Sequence, residues 1–234
     1  LDQFANETGA ADGNRRMVAI VSFGSNAKRE LNWVDVRTEA GMNQAIQAVN
    51  NVVVAHGNSS NGGTNIEGGL MLAKNILKAG RQKQGAIQDV NYLYTILLTD
   101  GNPTFYTASS SKDTYQISGT LQGGGNSSGS TTNLQDVEDV GDEATAIRSI
   151  TNLSKLFSIC FGTVSSTNVW DTQPFGNWYN ANPQTTSGMT VGEWLAAFSD
   201  QAYNGQADGL FESFNSIADQ IATAAQAWRV TDQM

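Results

Sequence analysis

The sequence has few of the residues on which several common kinds of site depend. Its 234 residues include one cysteine and one histidine, which excludes an internal disulfide, a multi-histidine metal site and most histidine-based catalysis. We expect Cys160 to be an inert core residue within a strand. No apolar run approaches the roughly 18 residues of a membrane helix, so we expect no membrane insertion by this segment.

Basic residues are also scarce, with 13 Lys and Arg against 22 Asp and Glu and a formal charge of -9. Nucleic acids and anionic membrane surfaces both require a concentrated positive field, so neither is expected as a partner. The hydrophobic fraction of 39% can form a core, and the length suits one domain with insertions.

Short apolar runs alternate with amphipathic stretches along the chain. Strands are predicted at 17–23, 27–34, 92–99 and 156–161, and helices at 39–49, 64–79, 134–155, 191–198 and 210–228. This alternation predicts an α/β fold, with a doubly wound, mostly parallel sheet that helices cover on both faces.

Two long segments interrupt this pattern, and both follow the carboxyl end of a predicted strand. Residues 102–132 are rich in Ser, Thr, Gly and Asn, and residues 163–189 are aromatic, with Trp170, Phe175, Trp178 and Tyr179. We predict two insertions beside the carboxyl edge of the sheet. The four aromatic side chains either pack their loop onto the domain or form a surface that binds a protein or glycan.

Oxygen ligands converge at the same edge. The helix at 64–79 is roughly 24 Å long at 1.5 Å per residue, and the strand at 92–99 is roughly 26 Å long at 3.3 Å per residue. Thr64 at the start of the helix and Asp100 at the end of the strand should therefore share one face. Such hard oxygens suit Mg²⁺, Ca²⁺ or Mn²⁺. The alternatives are a helix cap for Thr64, in a capping box with Glu67, and a plain turn residue for Asp100.

Five segments in order resemble the von Willebrand factor A domain: VSFGSNA, GGTNIEGGLMLA, ILLTDGNPT, LFSICFG and FESFNSIADQIA. The resemblance implies a metal-ion-dependent adhesion site, in which a divalent cation at the top of the sheet takes an acidic oxygen from the partner. It implies that Thr64 binds the cation directly and that Asp100 acts through water. Mg²⁺ is the first expectation, with Ca²⁺ or Mn²⁺ as alternatives.

The sequence departs from the family in its first motif. Asp-x-Ser-x-Ser is absent, Ser22 and Ser25 have the wrong spacing, and residues 1–6 resemble the end of the first helix. The family's strand order, 3-2-1-4-5-6, would then leave a gap between the strands at 17–23 and 92–99. We expect the first, central strand to be missing from this chain, in a domain that covers residues 1–229.

The last five residues, VTDQM at 230–234, are similar to a motif in Gram-positive pilus tip adhesins, in which the chain enters a β-rich stalk domain. This similarity implies an extracellular, cell-surface or pilus location. It also implies an adjoining stalk domain or pilus subunits as partners.

Two functions follow as hypotheses. The first is a surface adhesion module that binds a host or matrix ligand through the cation. The second is a structural or assembly component of a surface filament, with a degenerate metal site. We expect no enzymatic activity, because the sequence has no nucleophile elbow or phosphate loop, and Asp142 and Glu143 read as a solvated helix face. An intracellular, chelatase-like role is disfavoured by the aromatic insertion and by VTDQM.

Overall fold

The computed structural model describes residues 16–56, 63–83, 93–99, 102–108, 120–125, 132, 134–161, 190–205 and 209–231. The strands in these ranges are β1 (Met17–Phe23), β2 (Ala27–Asp35), β3 (Leu93–Thr99), β4 (Phe105–Thr107), β5 (Thr120–Leu121), β6 (Gly123–Gly125), β7 (Ser154–Phe161) and β8 (Gln201–Gly205). The helices are α1 (Glu39–His56), α2 (Ile66–Lys83), α3 (Leu134–Arg148), α4 (Val191–Phe198) and α5 (Leu210–Thr231). None of these helices is both long and apolar enough to cross a membrane.

The strands form two main sheets, which confirms the predicted α/β class. Strands β3, β7 and β8 are parallel neighbours in that order, whereas β1 and β2 are an antiparallel pair that β5 extends at Ala27 and Lys28. Among the described strands, β1 pairs only with β2, and β3 pairs only with β7. No described strand is thus hydrogen-bonded to the second edge of β1 or of β3, and the missing first strand stays a prediction.

Helix α2 joins the two sheets, because it contacts β1, β2 and β3. Gly69 allows α2 to lie close to β1, since a Cβ atom there would be 2.7 Å from the ring of Phe23. The indole nitrogen of Trp33 in β2 donates a hydrogen bond to the Ile76 carbonyl at 3.4 Å. Leu97 of β3 packs in the same core cluster.

Apolar residues recur at helical spacing along α2, which predicts a stripe of Ile66, Leu70, Ala73 and Leu77. Ile66, Leu70 and Leu77 are buried as predicted, and Ala73 is partly buried against the same core. Helices α3 and α4 pack on the same side, in one cluster that includes Ile147, Trp194 and Phe198. An ion pair of 2.5 Å between Lys74 and Glu143 links α2 to α3, so Glu143 is not the solvated residue that its sequence context predicts. Asp142 is exposed, as predicted.

The opposite face of the sheets carries α5 and α1. Ile217 of α5 is buried against Phe157 and Ile159 of β7, with Tyr94 and Leu98 of β3 at the edge of this cluster. Helix α1 contacts the same two strands, β1 and β2, that α2 covers. Because α2 occupies one face of that pair, α1 lies on the other face.

Several residues are more exposed than the sequence pattern predicts. Strand β1 reads as buried on both faces, but Ser22 is its only buried residue. Ile46 and Val49 of α1 and Phe214 of α5 recur with other apolar residues at helical spacing, which predicts an inward face, and they are nevertheless exposed. Periodicity identifies the apolar side of an element but not whether another element covers that side.

Some boundaries also differ from the predictions. Helix α3 is continuous through Gly141 and ends at Arg148, and α5 continues to Thr231, so Val230 and Thr231 are helical rather than the start of a strand. The reason is that no Gly or Pro follows residue 209 to stop α5. Residues 232–234 lie outside the described ranges, and the following stalk domain stays a prediction.

Four short strands of the described chain were not predicted from the sequence. Strand β8 is polar, with the sequence QAYNG, so it lacks the apolar run that marks β3 and β7. Strands β4, β5 and β6 lie inside the segment 102–132, which we predict as an insertion without strands of its own. They form because β6 pairs with β4 and β5 pairs with β2, and neither pairing leaves a local signal.

Asp200 follows α4 and fixes the start of β7. Its carboxylate accepts a hydrogen bond from the Leu156 amide at 2.8 Å and forms an ion pair of 3.1 Å with Lys155. Burial raises the pKa of this carboxyl, but the hydrogen bonds from Leu156 and Lys155 lower it, and the net pKa lies below the ordinary value. The ionised form is thus favoured in the folded protein.

We expect Asp200→Ala to reduce the free energy of unfolding by about 2 kcal/mol at pH 7, because it removes charge-assisted hydrogen bonds. A lowered folded-state pKa gives stability that is present above the unfolded pKa of about 3.9 and is lost as the pH falls through the folded pKa. The difference between the two proteins should therefore be constant above about pH 5 and shrink in acid. Urea unfolding from pH 3 to pH 7 measures it, with the exposed Glu212→Ala as control. An equal difference at all pH values would contradict the assignment.

Candidate functional site

The carboxyl ends of β1 and β3 both reach the loop that leads into α2. After β1, the Gly24 carbonyl accepts a hydrogen bond from the Asn65 amide at 2.7 Å, and the Ser25 hydroxyl accepts one from the Gly63 amide at 3.2 Å. After β3, Thr104 contacts Thr64. Strands β1 and β3 therefore end at the same edge, with the loop 63–65 beside both.

Thr64 is held in place through its backbone. Its amide donates to the Thr104 hydroxyl at 2.9 Å, and its carbonyl accepts hydrogen bonds from the amides of Thr104 at 3.0 Å and Phe105 at 3.2 Å. The residue is half-buried. We predict that the start of α2 lies close to the chain that follows β3. The hydrogen bonds between Thr64 and Thr104 show this proximity.

The predicted capping box of Thr64 and Glu67 is wrong. Helix α2 begins at Ile66, and the residue before it, Asn65, caps it by accepting a hydrogen bond from the Gly68 amide on its Oδ1 atom at 2.8 Å. Glu67 is buried, and its Oε2 atom accepts a hydrogen bond from the Thr107 amide at 2.5 Å. Because Asn65 caps the helix, the Thr64 hydroxyl is not needed for capping. Among the described residues, it has no hydrogen-bond partner.

Part of the first predicted insertion forms one side of the site. The Gly123 amide donates to the Asn26 side-chain oxygen at 2.9 Å. Gly123 must lack a side chain, because a Cβ atom there would lie 1.8 Å from the Ser25 carbonyl oxygen. The hydrogen bonds from Gly123 to Asn26 and from the Thr107 amide to Glu67 together hold the paired strands β4 and β6, the β4–β6 hairpin, beside the loop that contains Thr64. This role was not predicted, and the consecutive glycines of β6 are its one signal in the sequence.

The described residues fit a divalent cation only in part. Thr64 offers a hydroxyl oxygen, but the Ser22 hydroxyl donates to Glu30 at 2.7 Å and the Ser25 hydroxyl is bonded to Gly63. Within the described ranges, no group of three Asp, Glu, His or Cys residues is placed to hold a metal. Because Mg²⁺ takes six oxygen ligands, these residues do not complete a site by themselves.

Five of the predicted site residues lie outside the described ranges, so the structure neither supports nor contradicts their roles. They are Asp100, Trp170, Phe175, Trp178 and Tyr179. Cys160 is buried in the core, as predicted.

The reassigned cap gives a direct test. We expect Asn65→Ala to lower the free energy of unfolding by about 1 kcal/mol, since it removes the side-chain acceptor of the helix start. We expect Thr64→Ala to change it by less than about 0.5 kcal/mol, as for a residue with no capping role. Chemical denaturation of both variants and of the exposed Asn152→Ala measures the effects. If Thr64→Ala were the more damaging change, Thr64 rather than Asn65 would be the cap.

Comparison with known proteins gives matches in structure alone, because no protein-family model and no curated protein sequence matches this chain. The fold is similar to the vWF domain of the type V pili tip protein Mfa5 from Porphyromonas gingivalis. The TM-score is 0.53 at 14% identity, over 95% of this chain and 84% of that one.

Two further solved structures are similar. The pilus adhesin SpaC from Lactobacillus rhamnosus GG gives a TM-score of 0.53 at 16% identity, and a mutant of the PilB minor pilin from Streptococcus sanguinis gives 0.51 at 16% identity. This chain corresponds to 26% of the SpaC chain and 49% of the PilB chain. The two sheets, the flanking helices and these similarities together show that the chain has a von Willebrand factor A-like fold.

Proposed function

We propose that this chain is the ligand-binding module of a pilus-associated, cell-surface adhesin, and that it binds a protein or glycan on host cells or matrix without catalysing a reaction. The observation that carries the proposal is the position of Thr64. Its backbone is clamped by Thr104 and Phe105, its hydroxyl has no capping role, and it lies beside the carboxyl ends of β1 and β3. In α/β sheets, ligands bind at this edge.

The proposal includes a divalent cation, with Mg²⁺ first and Ca²⁺ or Mn²⁺ as alternatives. Thr64 would hold it directly and Asp100 through water. When bound, the cation supplies a positive charge that accepts an acidic oxygen of the partner. The chain's own contribution is to fix the position of Thr64 and to place the β4–β6 hairpin beside it through Asn26 and Glu67.

Three solved structures support the pilus context. They are a pilus tip protein, a minor pilin and a pilus adhesin. Because this chain spans only about half of PilB and a quarter of SpaC, a stalk domain and further pilus subunits are proposed as partners here by analogy with those longer proteins. The four aromatic residues of the segment 163–189 are proposed as part of the ligand-binding surface.

The cation is tested by removing its proposed ligands. We expect Thr64→Ala and Asp100→Ala each to weaken Mg²⁺ binding at least about tenfold and to reduce adhesion to ligand-coated surfaces. Titration calorimetry of the whole adhesin measures the first effect, and a cell-adhesion assay with and without EDTA measures the second. The control is Thr145→Ala, which changes an exposed threonine of α3. Unchanged binding and adhesion in both variants would contradict the cation-dependent proposal.

A second candidate is an assembly or structural role in the filament. One observation favours it: the described residues around Thr64 offer one uncommitted hydroxyl and no acidic cluster. In that case, the Thr64 and Asp100 variants would adhere normally, whereas deletion of the domain would reduce the number or length of pili on the cell. Electron microscopy of the deletion strain separates the two functions.

A further inference from the structure

The start of α2 supplies the hydrogen-bond acceptors for the outer edge of β4. The Phe105 amide donates to the Thr64 carbonyl at 3.2 Å, and two residues later the Thr107 amide donates to the Glu67 carboxylate at 2.5 Å. The next amide, that of Ala108, donates at 2.8 Å to the residue just before β6. Successive amides of an extended strand point to opposite edges. Thr64 and Glu67 therefore stand where a neighbouring strand would place its carbonyl oxygens.

The helix dipole alone does not account for Glu67. An acidic residue in the first turn of a helix is favoured by the dipole even when its side chain is in water. Glu67 is instead 2% exposed, and its hydrogen bond to Thr107 joins residues that are 40 positions apart. Because a buried carboxylate is costly unless hydrogen bonds compensate it, the charge-assisted bond from the Thr107 amide helps to hold Glu67 in this position.

The β4–β6 hairpin has little stability of its own. Each of its strands has three residues, and β6 consists of glycine alone. A two-stranded hairpin is marginally stable at best in water, and glycine loses more backbone entropy on folding than other residues. The position of the hairpin therefore depends on its attachments to the domain. These include the bond from Gly123 to Asn26, the bond from Thr107 to Glu67, and the pairing of β5 with β2.

The ring of Phe105 fills the space between the hairpin and the loop that contains Thr64. A Cβ atom on Gly63 would lie 2.3 Å from this ring, and a Cβ atom on Gly123 would lie 2.9 Å from it. The ring thus packs against both backbones, with no room for a side chain at either glycine. Because the Phe105 amide is also bonded to the Thr64 carbonyl, a shift of the hairpin would displace Thr64 as well.

We propose that Glu67 is a positioning residue that couples the β4–β6 hairpin to Thr64, so that the two respond together when the site is occupied. Glu67 follows Thr64 by three residues and is buried, so it acts through the Thr107 amide and not by contact with a ligand. The inference rests on the proposed function, because it takes Thr64 as a residue that holds the cation. Coupling between two sites is reciprocal, so a cation at Thr64 would also steady the hairpin.

Hydrogen exchange tests the coupling without a cation or a ligand. In the whole adhesin, Glu67→Ala removes the acceptor of the Thr107 amide, whereas Glu67→Gln keeps a side-chain oxygen that can accept its hydrogen bond. The two amides that donate to the Thr64 carbonyl should exchange at least about tenfold faster in Glu67→Ala, and within about threefold of the unsubstituted protein in Glu67→Gln. The amides of β7 are the internal reference. Unchanged exchange of the two amides in Glu67→Ala would overturn the proposal.

A second variant breaks the same hydrogen bond from the other side. Thr107→Pro removes the amide that donates to Glu67, and it preserves the pairing of β4 with β6 because this amide points away from β6. It should reproduce the exchange pattern of Glu67→Ala, and combining the two substitutions should change the rates by less than about twofold further. Effects that multiply in the double variant would show that the two residues do not act through one hydrogen bond, and the proposal would fail.

Titration with Mg²⁺ alone connects the coupling to the proposed site. Glu67→Ala and Thr107→Pro should weaken Mg²⁺ binding at least about tenfold, and Glu67→Gln should keep it within about threefold of the unsubstituted protein. Asp200→Ala is the control, because it destabilises the domain at the start of β7, away from the carboxyl edge of the sheet. Saturating Mg²⁺ should also slow exchange of the Gly123 amide in the unsubstituted protein and not in Glu67→Ala.

The two measurements separate failure of this inference from failure of the proposed function. Equal Mg²⁺ binding by the unsubstituted protein, Glu67→Ala and Thr107→Pro would overturn the inference and leave the cation site in place. If the unsubstituted protein bound no Mg²⁺, the proposed cation would be wrong, and the exchange of the amides bonded to Thr64 would still decide whether Glu67 positions it. An equal loss of Mg²⁺ binding in Asp200→Ala would show that Glu67 only stabilises the fold.

Discussion

The packing of α2 across both sheets is the interaction on which the rest of the structure depends. Its buried residues Ile66, Leu70 and Leu77 join a core that includes Leu97 of β3, and Trp33 of β2 bonds to its backbone. Each fully buried side chain of this kind contributes about 1.5–3 kcal/mol. Because β1 and β3 are not paired in the described chain, this helix holds the two sheets together, and its first turn sets the position of Thr64.

The site is consequently assembled by backbone contacts around the start of α2. Gly24 follows β1, Thr104 follows β3, and Gly123 lies in the β4–β6 hairpin, and each contributes a hydrogen bond to this region. Asn65 caps the helix, which leaves the Thr64 hydroxyl outside the cap. The arrangement presents an oxygen at the edge of the sheet.

Hydrophobic periodicity was sufficient to predict an element and its buried side wherever neighbouring elements cover that side. It predicted β1 and α4 at their observed bounds, and the stripe of α2 is buried as expected. It failed for Ile46, Val49 and Phe214, because burial of a stripe requires a second surface that the sequence of the stripe does not specify. It also missed β8 and the β4–β6 hairpin, since polar and glycine-rich strands form only where a paired edge is already present.

The sequence by itself determined the α/β class and the order of the main strands and helices. These features follow from apolar runs and helical periodicity, which are local, whereas the gap next to β1 was implied by the resemblance to the von Willebrand factor A domain. Only the tertiary structure decided that Asn65 rather than Thr64 caps α2, that Glu67 reaches Thr107, and that Ile46, Val49 and Phe214 are exposed. Each of these depends on which distant segments meet, and contacts between distant segments leave no pattern in a single sequence.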